Sequence, residues 1–200
     1  MTRPYCFRYG CDTWEVLRVL ADTNRRRLYD RALDRYGYVT TRDAEQLEVP
    51  TVELRKIAQR GGLEHVAYGL YRFEEVPRTG RDQYMEAVLR VGPDAYLTQD
   101  AVLALHDLGL VNPRHIRVGL PRRERSRLPP YIQVIHQQLD PNDLTAYEGI
   151  PSATVARALL DCRPLAMGER LIDAARDAAR RGLLTKNEAN HVLAQLGAET

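Results

Sequence analysis

Long apolar runs are missing from this chain. No stretch approaches the roughly 18 residues that a bilayer-spanning helix needs. No basic-then-apolar leader opens the sequence either, so a cytoplasmic location without a membrane partner is expected. Cysteine is scarce: Cys6, Cys11 and Cys162 are the only three. So sparse and odd a set argues against a disulfide framework. Cys6 and Cys11 form no CxxC and have no nearby His to complete a zinc site. Reduced thiols are expected, with no metal and no other cofactor. Lysine is almost absent. Lys56 and Lys186 stand alone, so arginine supplies the remaining 27 of 29 cations. A GC-rich genome accounts for that bias, but arginine is also the better fork for phosphate and guanine. Net charge is only +2, which by itself selects no partner.

Catalytic signatures are missing too. The sequence contains no P-loop, no GxGxxG after a strand and no GxSxG. His65, His106, His115, His136 and His191 are scattered without ligand spacing. Asp161, Glu169 and Asp173 fall on helical patterns as solvated or capping groups. No carboxylates gather on strands as a metal-dependent nuclease requires. An enzyme is not expected.

What is present is a run of short amphipathic segments. Residues 1–11 are irregular, and residues 1–22 read as an N-terminal extension. Within it, DTWEVLRVLAD is a short helix, with Asp12 and Glu15 at capping-box spacing and Trp14 and Leu17 on its apolar side. NRRRLYDRALDRYG reads as a separate helix, with Leu28, Ala32 and Tyr36 on one side and Gly37 at its end. Thr40 with Asp43 has N-cap spacing for a second helix, which Pro50 stops. TVELRKIAQRGG is a third, with Leu54, Ile57 and Ala58 inward. RGGLEHVAYGLYRF then alternates as a hairpin. Helix, short helix, helix and hairpin over residues 23–76 read as a winged helix-turn-helix. The hairpin covers a core that three small helices cannot close alone.

On the third helix, Thr51, Arg55 and Gln59 are spaced by four and share one face. Arg and Gln are the side chains that pair bidentately with guanine and adenine edges in the major groove. Lys56 and Arg60 sit where phosphates would run. Arg42 and Arg26 are further candidate DNA contacts. The hairpin offers His65, Tyr68 and Arg72, with Arg72 the expected contact and Tyr68 equally placed for the core. Arg25, Arg26 and Arg27 open their helix, against its dipole, which points to an external anion. A merely solvated polar face remains the plain alternative for each.

EEVPRTG reads as a linker, and residues 77–200 as a mixed α/β domain. RDQYMEAVLRVG and AYLTQDAVLALHDLGL are expected helices, the second capped by Thr98. RHIRVGLP and YIQVIHQQL are expected strands, joined by a basic turn or loop. LTAYEGIP suggests a strand and a tight turn at Gly149. Three helices close the chain, with Thr185 and Glu188 as a capping box for the last. Arg122, Arg123, Arg125 and Arg127 form a second basic strip. It reads as a patch for a toxin or for further nucleic acid, or as a solvated loop.

GYVTTRDAEQLEV followed by LRKIAQRGGLEHVAYGLYRF resembles the N-terminal winged helix of AbiEi-type antitoxins of type IV toxin–antitoxin systems. YLTQDAVLALHDLGL, HIRVGLPRR, EGIPSATVARALLDC and AARRGLLT are similar, in order, to the motifs of their C-terminal domain. The resemblance covers about residues 24–196. It implies an α+β chain, with a winged helix-turn-helix followed by a mixed α/β antitoxin domain. It also implies an antitoxin and autorepressor that binds inverted repeats of operator DNA in its own operon. Its second implied partner is an AbiEii-type nucleotidyltransferase toxin, met functionally or transiently, with which no stable complex need form. Residues 1–22 depart from the pattern. The alternatives are a stand-alone winged-helix regulator and a protein-interaction module that binds no operator.

Overall fold

The structure, a computed structural model, describes residues 12–109, 112–123 and 127–198, with side chains from residue 23 onward. The expected arm 1–11, Cys6, Cys11, Arg125 and the side chains of Asp12, Trp14, Glu15 and Leu17 lie outside the described residues. The chain is α+β and divides into two compact units, one ending at Arg78 and one beginning at Thr79. The expected linker starts later than its composition suggests. Val76 is buried in the first unit's core and Arg78 Nη2 donates to Glu64 Oε2 at 2.8 Å.

In the first unit, α1 (Asp12–Leu33) is one continuous helix. The two-helix expectation for residues 12–37 is therefore corrected. Asn24 favours a cap but costs only a few tenths of a kcal/mol inside a helix, and neither Gly nor Pro interrupts residues 12–33. Arg25, Arg26 and Arg27 consequently sit inside α1, not at its N-terminus. They oppose no dipole, and that hint of an external anion falls away.

β1 (Tyr38–Thr40) follows the turn at Gly37, then α2 (Thr41–Gln46), α3 (Thr51–Gln59), β2 (Leu63–Ala67) and β3 (Leu70–Phe73). The strands form an antiparallel sheet in the order β1-β3-β2. β3 is central, and all four of its residues are buried. Leu28 and Ala32 of α1, Ala44 of α2, Leu54 and Ile57 of α3 and Phe73 of β3 meet in one apolar cluster. The Tyr29 ring meets Phe73 edge-on at 5.3 Å. Thr40 and Asp43 form a reciprocal capping box at the start of α2. The turn Leu47–Pro50, with Val49 in the core, then redirects the chain into α3.

The second unit holds a five-stranded mixed sheet in the order β6-β5-β4-β8-β7. Its strands are β4 (Tyr96–Leu97), β5 (Ile116–Leu120), β6 (Ile132–His136), β7 (Leu144–Tyr147) and β8 (Ile150–Ala153). Its helices are α4 (Asp82–Val91), α5 (Asp100–Leu105), α6 (Val155–Asp161), α7 (Gly168–Arg180) and α8 (Lys186–Gln195). α4 packs on β4, β5 and β8, while α6, α7 and α8 pack on one another. The Thr185–Glu188 capping box forms at α8. β7 and β8 make the expected strand and tight turn at Gly149.

One expectation is corrected here. Thr98 does not cap α5: Gln99 holds the N-cap position, and Thr98 is fully buried with its amide bonded to Arg117 O at 3.1 Å. β5 and β6 are parallel, so of the expected turn or loop between them the loop is the reading that fits.

Gly119 sits under the Tyr96 ring, whose hydroxyl donates to Gln137 O at 2.9 Å. A Cβ at this position would lie 2.3 Å from the ring. Gly119→Ala is therefore expected to destabilise the second unit by about 1–3 kcal/mol through overpacking. Urea unfolding followed by circular dichroism reads this directly. An unchanged midpoint would mean that the ring is free to swing away.

Candidate nucleic-acid interface

The outward surface of α3 is built by its own apolar stripe. Leu54 and Ile57 are buried, and this turns Arg55, Lys56, Gln59 and Arg60 outward, all exposed, with Thr51 half-exposed. The structure thus brings together the five residues that the sequence placed on this helix. Lys56 is not unengaged: its Nζ donates to Glu53 Oε1 at 2.7 Å. Val52, 59% exposed beside Thr51, was missed by sequence reasoning. It is an apolar group on a polar surface, of the kind that meets a thymine methyl. The signal was its place outside the Leu54–Ile57 stripe.

α2 is held beneath this surface by Asp43, only 2% exposed. Its carboxylate accepts from Arg35 Nη1 at 2.9 and 3.0 Å, from Thr40 N at 2.9 Å and from Thr40 Oγ1 at 2.6 Å. Arg42, in the first turn of α2, is exposed.

The hairpin reverses the expectation for its side chains. Tyr68 at the tip is 101% exposed, so it is not core. Arg72 is 2% exposed and is withdrawn as a contact residue. Its guanidinium donates to Phe73 O at 3.2 Å and Val76 O at 2.8 Å, and lies 5.7 Å from the Tyr38 ring centroid. The reason is local: the chain turns back after β3, so the carbonyls of Phe73 and Val76, with the Tyr38 ring, enclose the guanidinium. The tip itself is fixed. Thr41 N donates to Gly69 O at 2.9 Å, and a Cβ on Gly69 (φ +69°) would come within 3.0 Å of Thr41 Oγ1. Tyr68 is thereby tethered to the start of α2. His65 is exposed and tilts over Tyr71 at 5.0 Å.

On α1, Arg26 and Arg27 are exposed, whereas Arg25 is ion-paired with Glu75 and lies 5.6 Å from the Phe73 ring centroid. In the second unit, Arg122, Arg123 and Arg127 are exposed on the β5–β6 crossover.

The second unit also encloses polar groups, among them Asp161, which the sequence placed as solvated or capping and whose side chain is only 15% exposed. Arg117 pairs with Asp100, and Asp161 accepts from Gln137 and Arg157 at 3.0 Å each. Burial, with Asp100 nearby, pushes the Cys162 thiol up to about 12. It stays protonated and unreactive at neutral pH. Among the described residues no group of three or more His, Cys, Asp or Glu could hold a metal ion. None of the described helices is long and apolar enough to cross a membrane.

His106 is 5% exposed, and its ring lies 4.2 Å from that of Tyr147. Burial lowers its pKa, and Arg181 and Arg81 lower it further, against Asp107 and Glu148. The sign follows. The unfolded chain takes up a proton near 6.5, the folded chain only at lower pH, so stability is intact above 6.5 and lost as pH falls below it. The melting temperature is expected to drop between pH 7.5 and 5.5, and His106→Phe should flatten that drop. Parallel curves for the two proteins would assign the acid sensitivity elsewhere.

The chain matches no family model and no curated protein. Among solved structures, the RV2827C protein from Mycobacterium tuberculosis is similar over 86% of this chain and 71% of that one, at 16% identity and a TM-score of 0.46. A likeness that loose assigns neither fold nor activity.

Proposed function

We propose that the first unit is a winged helix-turn-helix that reads double-stranded DNA, with α3 as the reading helix and Tyr68 at the wing tip. One observation carries this reading: Thr51, Arg55 and Gln59 form an outward row beside Lys56 and Arg60, on a helix presented after a tight turn. Nothing in the apolar cluster requires those side chains. Arg26, Arg27 and Arg42 are exposed cations available to the phosphate backbone.

The wider reading is an antitoxin and autorepressor of the AbiEi type. The order of motifs along both units supports it. The protein then binds inverted repeats in its own operon and counters a nucleotidyltransferase toxin. One helix of this kind reads only a few base pairs, so a specific repressor needs two copies on two half-sites.

The test is fluorescence anisotropy of the DNA just upstream of the gene against a scrambled duplex, at several salt concentrations. The expected result is tight binding to the native DNA that weakens steeply with salt, because neutralised phosphates release counterions. Equal, weak binding to both duplexes rejects the repressor reading. Rescue of cells from a nucleotidyltransferase encoded beside the gene tests the antitoxin reading separately.

A further inference from the structure

α7 and α8 form an antiparallel pair linked by the turn Arg181–Thr185. The 3.6-residue period divides α7 into two sides. Leu171, Ala174, Ala175 and Ala178 are buried in the core. Asp173, Arg176 and Arg180 lie on the other side, beside α8. Between the two helices runs an open groove of about 660 Å³. Ala179, Leu184, Ala189 and Leu193 give it an apolar floor, while Arg176, Arg180 and Lys186 stand on its rim.

We propose that this groove binds a partner protein through an acidic amphipathic helix. Two features select that occupant. The floor is apolar, and the α7 side of the groove, from Asp173 to Arg180, is about 10 Å long at 1.5 Å per residue. That matches two turns of a helix inserting side chains at i, i+3 and i+7. The rim carries three cations against the single carboxylate of Asp173. Their present pairings, Arg176 with Asp173 at 3.7 Å and Arg180 with Asp177 at 3.0 Å, are exposed intrahelical contacts. Such pairs are weak and give way to a better partner. A phosphate backbone would use the rim and leave the floor unfilled. Residues 1–11 of the chain itself carry Arg3 and Arg8 and no acidic residue, so their charge does not fit. The groove belongs to the second unit, and the inference goes beyond the DNA-binding reading without depending on it.

The test uses the full chain and a fluorescein-labelled helical peptide of about four turns, with Leu at i, i+3 and i+7 and Glu on its other face. Controls are the same peptide with Lys for Glu, polyglutamate and a single-stranded RNA. The acidic amphipathic peptide is expected to bind, more weakly at high salt, and the three controls are not. Arg176→Glu with Arg180→Glu is expected to weaken binding roughly tenfold or more. These residues are exposed, so the fold is unaffected. Leu193→Asp, at a half-exposed floor position, should do the same while circular dichroism and melting stay near wild type. No binding of the acidic peptide overturns the proposal. Equal binding of polyglutamate or RNA overturns it in favour of a general polyanion surface. Self-association of the chain that Leu193→Asp abolishes overturns it in favour of a second copy.

Discussion

Replacing Arg55 by alanine is expected to weaken binding to the upstream DNA by roughly 1–3 kcal/mol, about 5- to 150-fold. The same change should relax sequence preference at one position of each half-site. On the proposed reading the effect is large because a guanidinium fork would meet two acceptors on one guanine edge. Gln59→Ala should behave alike at a different base. Lys56→Ala is the contrast. A lysine on a phosphate weakens every duplex equally and reduces the salt slope by about one. Its starting loss is smaller, because Lys56 already shares its charge with Glu53. Competition anisotropy against duplexes altered one base pair at a time separates these patterns. If Arg55→Ala lowers native and altered duplexes by the same factor, α3 does not read bases.

Asp43→Ala is expected to cost the first unit about 2–4 kcal/mol. One buried carboxylate accepts from Arg35, from the Thr40 amide and from the Thr40 hydroxyl. Its removal abolishes the α2 cap and leaves Arg35 Nη1 without the carboxylate it donates to. The Arg35 side chain keeps 31% exposure, so the loss stays below the 3–5 kcal/mol typical of breaking a fully buried pair. Asp43→Asn keeps one acceptor for the cap and should lose less. Hydrogen exchange over residues 41–59 reports the change within the first unit alone. Protection within about 0.5 kcal/mol of wild type would show that α2 is held by its apolar contacts.

Much of this was legible in the sequence where the cause is local. The stripe Leu54–Ile57–Ala58 oriented α3, and therefore also its outward row. Thr40 with Asp43 and Thr185 with Glu188 announced two helix starts, because a capping box is complete within four residues. Features set by distant partners were not legible. β1 is three residues long and exists through its pairing with β3, about thirty residues on. Arg72 reads as an outward polar side chain, but the carbonyls of Phe73 and Val76 and the Tyr38 ring enclose it. The parallel direction of β5 and β6 leaves no trace in either strand, since alternation is the same both ways along the sheet. Asn24 was over-read, because a residue that caps well also sits inside a helix at small cost.

Gly69 and α3 divide the first unit into a frame and a text. The frame is rigid at one point above all, where the hairpin tip is bonded to the first residue of α2. A residue added to or removed from that tip would pull on the helix it is tied to, so change there must come by exchange of letters and not by change of length. The text is different. The outward row of α3 rests on nothing in the core, and its letters can be rewritten while Leu54 and Ile57 keep the helix in place. Were α3 the proposed reading helix, such a separation would let it drift toward a new site through a series of folded intermediates.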